Sequence, residues 1–178
     1  MPSIKWWISY VDCNHIATYF FYQKQTFLNR ASIKGPHRIE NITVPIVHRG
    51  KKQPYMNVEI LYGNNEIRRI LQTLRCAYGK TAYFIFYFGE LETILNHRYR
   101  YLHQLNHKLI EWLAQKFYLE PPIFTNSSYD EIETWFSKND AFTHKEYYQP
   151  FGNFVHNLSA IDLLMNLGPD AKKILSHN

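Results

Sequence analysis

Residues 58–79 read Val58-Glu59-Ile60-Leu61-Tyr62-Gly63-Asn64-Asn65-Glu66-Ile67-Arg68-Arg69-Ile70-Leu71-Gln72-Thr73-Leu74-Arg75-Cys76-Ala77-Tyr78-Gly79, and the hydrophobic period changes inside them. Val58 to Tyr62 is a short β-rich run bounded by Gly63-Asn64, the pattern of a strand. From Asn64 onward Ile67, Ile70, Leu71 and Leu74 recur at helical spacing, with Arg68, Arg69 and Arg75 between them. Gly79 is placed to cap that helix at its C-terminus. The switch divides the chain into a strand-rich first third and a helical remainder.

Upstream of the switch the runs are short. Ile4 to Val11 is apolar with a helical look, and Asp12-Cys13-Asn14 closes it. Ile16 to Tyr22 reads as a strand, Gln23 to Arg30 as a polar loop, and Ala31 to Lys34 as an extended segment ending in a Gly35-Pro36 turn. Arg38 to His48 alternates, with Ile42, Val44 and Ile46 on one side. Pro45 cannot donate a ladder hydrogen bond, so this run is an edge strand or carries a bulge. Downstream, helices are expected over Tyr83–Asn96 and from about Arg100 to Phe117, where Pro121-Pro122 stops the pattern. Ile123-Phe124-Thr125 suits a short strand, Ser128 to Phe136 a small acidic helix, and Ser137 to Val155 an irregular, aromatic-rich segment. Ser159–Leu167 reads as a helix, Gly168-Pro169 breaks it, and Ala171–Leu175 forms a last turn. The fold class is α/β: a single domain over residues 1–178, with a mixed sheet in the N-terminal third packed by helices from the C-terminal two thirds.

Composition narrows the class. The 178 residues are 46% hydrophobic and 17% aromatic, which is too apolar for a disordered chain. The longest apolar run, Ala82 to Phe88, is far short of the roughly 20 residues that cross a bilayer. No signal peptide pattern stands at the N-terminus. These features suit a cytoplasmic protein without a membrane span. Cys13 and Cys76 lie in apolar patterns and read as buried or half-buried free thiols rather than a disulfide or a zinc pair.

The formal net charge is +5, and its placement matters more than its size. Lys24, Arg30, Lys34, Arg38, Arg49, Lys51 and Lys52 fall between Gln23 and Lys52, with His37 and His48, against the single acid Glu40. A local excess of this kind fits an anionic small molecule better than a long nucleic acid. No phosphate loop, dinucleotide fingerprint, zinc pattern or nucleophile elbow is present, and no cofactor is assigned.

The candidate site residues follow from chemistry. Gln23, Lys24, Asn29, Arg30 and Lys34 lie on loops and strand ends, where lysine offers a point charge and arginine a planar fork for phosphate or carboxylate. A solvated basic face explains the same residues without a ligand. His48, closing the strand after Pro45, is a candidate general base or phosphate donor, or a plainly exposed side chain. His103 and His107 stand i, i+4 on one helix, a weak metal pair with no third ligand in register. Asp162 and Asn166 share a helix face. Asp162 is a candidate catalytic carboxylate, yet Ser159 three residues earlier makes a capping box that explains it structurally. Asn166 joins the ligand-binding candidates, or simply ends its helix before Gly168.

These blocks together resemble the WbqC-like protein family. Tyr22-Gln23-Lys24-Gln25-Thr26-Phe27-Leu28-Asn29-Arg30 is similar to that family's (F/Y)QK-x-(T/S)-(Y/W)-x-NR segment. Ile33-Lys34-Gly35-Pro36, Thr43-Val44-Pro45-Ile46, Ala77-Tyr78 and Tyr83-Phe84 resemble its middle blocks, and Leu158 to Pro169 its LS-x-x-DLL-x-N-x-GP signature. The resemblance implies a role in bacterial surface-polysaccharide biosynthesis of the O-antigen type. A transferase or modifier acting on a nucleotide-activated sugar is the leading expectation. A non-catalytic partner or scaffold of a glycan-pathway protein is the alternative. By fold analogy alone the resemblance also suggests a nucleotide-binding-like architecture. The chain departs from the pattern where Ala17 and Tyr19 replace an acid and a histidine, Glu66 and Ile70 replace a tryptophan and a histidine, and Ala82 replaces a proline. Its start aligns inside the family's opening turn, so the usual first strand is expected to be missing.

Overall fold

The computed structural model describes residues 1–13, 15–24, 26–47, 52–63, 65–125 and 143–176. Helix α1 (Ile4–Cys13) comes first, followed by strands β1 (His15–Ala17), β2 (Arg30–Lys34) and β3 (Ile39–Thr43). A 3-10 turn at Tyr55–Asn57 precedes helices α2 (Glu66–Tyr78), α3 (Phe84–Asn96) and α4 (Leu102–Lys116). Strand β4 (Ile123–Thr125), helix α5 (Ala160–Leu167), a 3-10 turn at Gly168–Asp170 and helix α6 (Ala171–Leu175) complete the order. The small acidic helix expected at Ser128–Phe136 and the terminal His48 of the third strand lie outside the described residues.

The mixed α/β class holds, but the single sheet does not. Among the described residues there are two separate two-stranded sheets. In one, β1 pairs in parallel with β4, His15 opposite Ile123 and Ala17 opposite Thr125, so a strand from far downstream completes it. In the other, β2 and β3 form an antiparallel hairpin running from Arg30–Thr43 to Lys34–Ile39. The Gly35 amide closes its turn on the Arg38 carbonyl at 2.9 Å.

The expected strands were too long, for local reasons. Past Thr18 the chain leaves β4 and bonds to the loop before α2: the Tyr22 amide donates to the Gln53 carbonyl and the Tyr55 amide to that of Phe20. The Arg38–His48 run is a strand only to Thr43. Pro45 lacks an N–H, and the chain turns there to a new partner. The Val47 amide donates to the Glu59 carbonyl and the Leu61 amide to the Pro45 carbonyl. Val58–Tyr62 is consequently not a full strand. It makes isolated bridges, Ile60 to Ile46 on one side and Glu59 to Tyr101 on the other.

The helices follow their periodicity. On α4 the stripe Leu102, Leu105, Leu109, Ile110 and Leu113 is buried, and the Gln104 side chain accepts the Tyr101 amide at 3.1 Å to cap the first turn. Trp7 and Tyr10 of α1 are buried together, with Trp7 edge-on to Phe117 just beyond α4.

Helix α5 is the centre. Ala160 to Met165 are all fully buried, as expected for a helix apolar on every side but the one that carries Asp162 and Asn166. It packs against α1, α2, α3, α4, α6 and β2. Each Leu or Ile buried there contributes roughly 1.5–3 kcal/mol. Gly168, with φ +56°, ends α5, and a Cβ at this position would overlap the Tyr83 ring. No helix among the described residues is long and apolar enough to cross a membrane.

Candidate functional site

Helix α5 brings a charged residue into the interior. Its entry is held at two edges: the Ser159 amide donates to the Ser32 carbonyl of β2 at 2.8 Å, and the Ile4 amide donates to the Leu158 carbonyl at 2.9 Å. That pinning corrects the capping-box reading. The Ser159 amide is taken by Ser32, so Asp162 does not reach back to it, and the Ser159 hydroxyl is buried with no partner.

Asp162 instead sits at the middle of a polar cage. Its Oδ1 accepts the Tyr78 hydroxyl at 2.8 Å and its Oδ2 the Tyr147 hydroxyl at 2.6 Å. Asn166, one turn along α5, donates to the Asp162 carbonyl at 2.8 Å and to Oδ2 at 3.3 Å. Lys34 stands beside it at the end of β2. The Lys34 ammonium is buried and donates to Gln149 Oε1 at 3.1 Å and to the Asn153 carbonyl. Gln149 is fixed in turn by Val155, donating to its carbonyl and accepting its amide.

The electrostatics follow from burial. Desolvation pushes the Asp162 carboxyl above the usual carboxylate range, while the hydroxyls of Tyr147 and Tyr78, the Lys34 main chain and the Lys34 charge pull the other way. Burial, and then the Asp162 charge, drives both tyrosine hydroxyls far above their ordinary value. They therefore remain protonated donors, which a buried carboxylate needs.

An open groove of about 430 Å³ runs beside the cage. Gly35, Pro36 and Glu40 of the hairpin form one wall, and Arg69, Thr73 and Cys76 of α2 form another. Both walls continue into the cage, since Lys34 precedes Gly35 and Tyr78 follows Cys76-Ala77. Glu40 pairs with Arg38 at 2.9 Å. The Arg69 guanidinium is not paired with any described residue. Cys76 is an exposed free thiol, which corrects the expectation of a buried one; the helix turns it toward the groove rather than the core. The Cys13 side chain lies outside the described residues.

The candidate residues thus fall into separate groups. Lys34, Asp162 and Asn166 meet in the cage. Asn29 and Arg30 lie at the other end of β2, roughly 13 Å away at about 3.3 Å per residue. The Asn29 side chain donates to the Val44 carbonyl at 3.1 Å, and its Oδ1 has no partner. Arg30 is half-buried with an unpartnered Nε and lies close enough to Tyr22 for its charge to act on that hydroxyl. Gln23 and Lys24 are exposed on the preceding loop. His48 lies outside the described residues.

A second polar cluster stands on α4 near Asn29 and Arg30. Asn106 is buried and donates to the Leu28 carbonyl at 2.7 Å and to the Tyr55 hydroxyl at 2.9 Å. His107 stacks on Phe124 with ring centres 3.7 Å apart. The small cavity there, about 40 Å³, has room for a water or two and not for a sugar. His103 and His107 face each other across 5.5 Å. Among the described residues no group of three or more His, Cys, Asp and Glu side chains is placed to hold a metal ion.

Sequence reasoning missed Tyr147, Gln149 and the groove residues Arg69 and Thr73. Tyr78 carried a faint signal in the Ala77-Tyr78 block. Tyr147 carried none, because it lies in an irregular segment whose aromatics read as core.

A model of the WbqC-like protein family matches residues 7–140 and 131–174, and the chain belongs to that family. No curated protein and no solved structure matches the chain.

Proposed function

We propose that this WbqC-like protein acts in the cytoplasm in the biosynthesis of a bacterial surface polysaccharide of the O-antigen type, as a transferase or modifier that takes an anionic, nucleotide-activated sugar into the groove beside the Asp162 cage. One observation carries the reading. Three family blocks far apart in the chain, Ile33 to Pro36, Ala77-Tyr78 and Leu158 to Pro169, converge on that cage and on the adjoining groove. Arg69 supplies the cation for an anionic group, and Thr73 and Gln72 supply partners for hydroxyls. Lys34, Asp162 and Asn166 act as positioning residues that hold the hairpin against α2. Gln23, Lys24, Asn29 and Arg30 form a second anion-holding edge, with His48 the proposed proton-transfer group. The reading rests on site chemistry rather than on a nucleotide-binding architecture.

The test is thermal shift with a panel of nucleotide sugars. Stabilisation that Arg69→Ala abolishes and Lys24→Ala leaves intact supports the groove. Stabilisation lost in Lys24→Ala and Arg30→Ala instead moves the ligand to the basic loop. No stabilisation by any member of the panel refutes the ligand altogether.

A second reading has its own observation. Asp162 is fully buried with both oxygens bonded, and Ala17 and Tyr19 stand where the family carries an acid and a histidine. Those features favour a non-catalytic partner of a glycan-pathway enzyme. Recovery of a glycosyltransferase on the tagged protein, with the transferase inactive alone, supports this second reading.

A further inference from the structure

Large apolar side chains gather at one surface of the molecule. Ile85 is 78% exposed and Phe86 is 64% exposed in the first turn of α3. Tyr118, 69% exposed, follows the end of α4. Phe86 and Tyr118 are linked through Tyr83 and Tyr87, and Ile85 precedes Phe86 on the same helical turn. The Tyr83 ring lies 6.3 Å from that of Phe86 and stacks at 6.3 Å on Tyr87, and burial first, then the neighbouring Tyr118 hydroxyl, raises the Tyr87 pKa.

The rim of this face is cationic. Lys172 of α6 donates to the Tyr118 carbonyl at 3.0 Å. Lys116 lies 5.9 Å from the centre of the Tyr87 ring and pairs with Glu90 at 2.7 Å. Lys173 pairs with Asp170 at 2.9 Å. Lys80 is exposed on the turn that leads into α3. With Glu90 and Asp170 each matched by a lysine, Lys80 and Lys172 outweigh the exposed Glu120, two residues beyond Tyr118, and leave the rim net positive.

We propose that this face docks on an anionic phospholipid surface, with Phe86, Ile85 and Tyr118 entering the headgroup region and Lys80 and Lys172 lying over lipid phosphates. Aromatic and aliphatic side chains ringed by lysines are the pattern of an interfacial contact, where long lysine stems reach up to the headgroups. Each such lysine strengthens binding to an anionic leaflet about fivefold. A second copy of the chain fits less well. At about 200 Å² for a fully exposed side chain of this size, the three residues offer roughly 400 Å², half of the ~800 Å² per partner that a stable dimer buries.

Co-sedimentation of the full chain with vesicles tests this. Vesicles containing phosphatidylglycerol in phosphatidylcholine are expected to pull down the protein, and pure phosphatidylcholine vesicles are not. Raising the salt to 0.5 M is expected to release most of the bound protein, a readout that needs no variant. Phe86→Ser with Ile85→Ser is expected to weaken binding at least tenfold, and Lys80→Gln with Lys172→Gln to weaken it about tenfold or more. Circular dichroism confirms that each variant folds. Absence of binding to the anionic vesicles overturns the proposal. So does equal binding to both vesicle types at all salt concentrations, or a concentration-dependent dimer, abolished by Phe86→Ser, in a protein that ignores vesicles.

Discussion

The Tyr78 hydroxyl donates to Asp162 Oδ1 at 2.8 Å across 84 residues of chain. That bond ties the last turn of α2 to the central helix, and the Tyr147 hydroxyl closes the other oxygen. The carboxylate has no exposed face, so its donors decide whether it is tolerated.

Removing a donor is therefore expected to cost more than an average hydrogen bond. Tyr147→Phe is expected to lower the free energy of unfolding by about 1–3 kcal/mol, the cost of leaving a buried acceptor short of a partner. Asp162→Ala, which leaves both tyrosine hydroxyls without their acceptor and removes the carboxyl near the Lys34 charge, is expected to lower it by about 3–5 kcal/mol. Urea titrations of both variants check this. A Tyr147→Phe protein as stable as wild type contradicts the cage as described.

The same site has a pH signature. The folded pKa of Asp162 is raised, so its contribution is fully present below the ordinary carboxyl range and is lost as pH rises through the folded value. Asp162→Asn is expected to flatten the dependence of stability on pH in that acidic window. Equal slopes for wild type and variant from pH 3 upward would contradict it.

His107 acts in the opposite direction. Burial, and then the neighbouring His103, lowers its pKa from 6.5 to about 4. A base held neutral in the fold contributes stability above its unfolded pKa, and this is lost as pH falls through the folded one. Wild type is expected to lose stability between pH 6.5 and about 4, and His107→Gln to lose less over the same interval. Chemical denaturation at three pH values measures the difference.

Gly168 is constrained twice, by its positive φ and by the Tyr83 ring. A positive φ costs a residue with a Cβ about 1–2 kcal/mol, and overpacking a core adds roughly 1–3 kcal/mol. Gly168→Ala is expected to lower stability by about 2–5 kcal/mol. Adding Tyr83→Ala is expected to recover part of the steric loss and none of the conformational one. Full recovery would mean that backbone strain is unimportant there.

Cys76 is exposed beside the groove. A maleimide is expected to label it in the native protein within minutes, and Cys76→Ser to lose that label. If the groove holds the ligand, a bulky adduct on Cys76 removes any thermal stabilisation by nucleotide sugars, while iodoacetamide, which is smaller, diminishes it. An adduct that leaves the shift unchanged argues against the groove.

The helices were legible because their evidence is local. Ile67, Ile70, Leu71 and Leu74 repeat every three to four residues, and α2 appears where that period predicts it, with Gly79 at its end. The strands were legible in position and not in extent. A three- to five-residue strand depends on which segment lies alongside it, and Ile16 to Tyr22 changes partner after Thr18. The WbqC-like blocks were legible as motifs, but which of them meet was not.

The sequence by itself determined the helical order, the turns at Gly35-Pro36 and Gly168-Pro169, and the family, because period, backbone restriction and motif are properties of neighbours in the chain. Only the tertiary structure decided that Lys34, Tyr78, Tyr147 and Asp162 share one cage, that Arg30 stands apart from them, and that Cys76 faces the groove. The reason is desolvation. A carboxylate can be buried on α5 only where donors from other segments reach it, and no spacing along the chain records which segments those are.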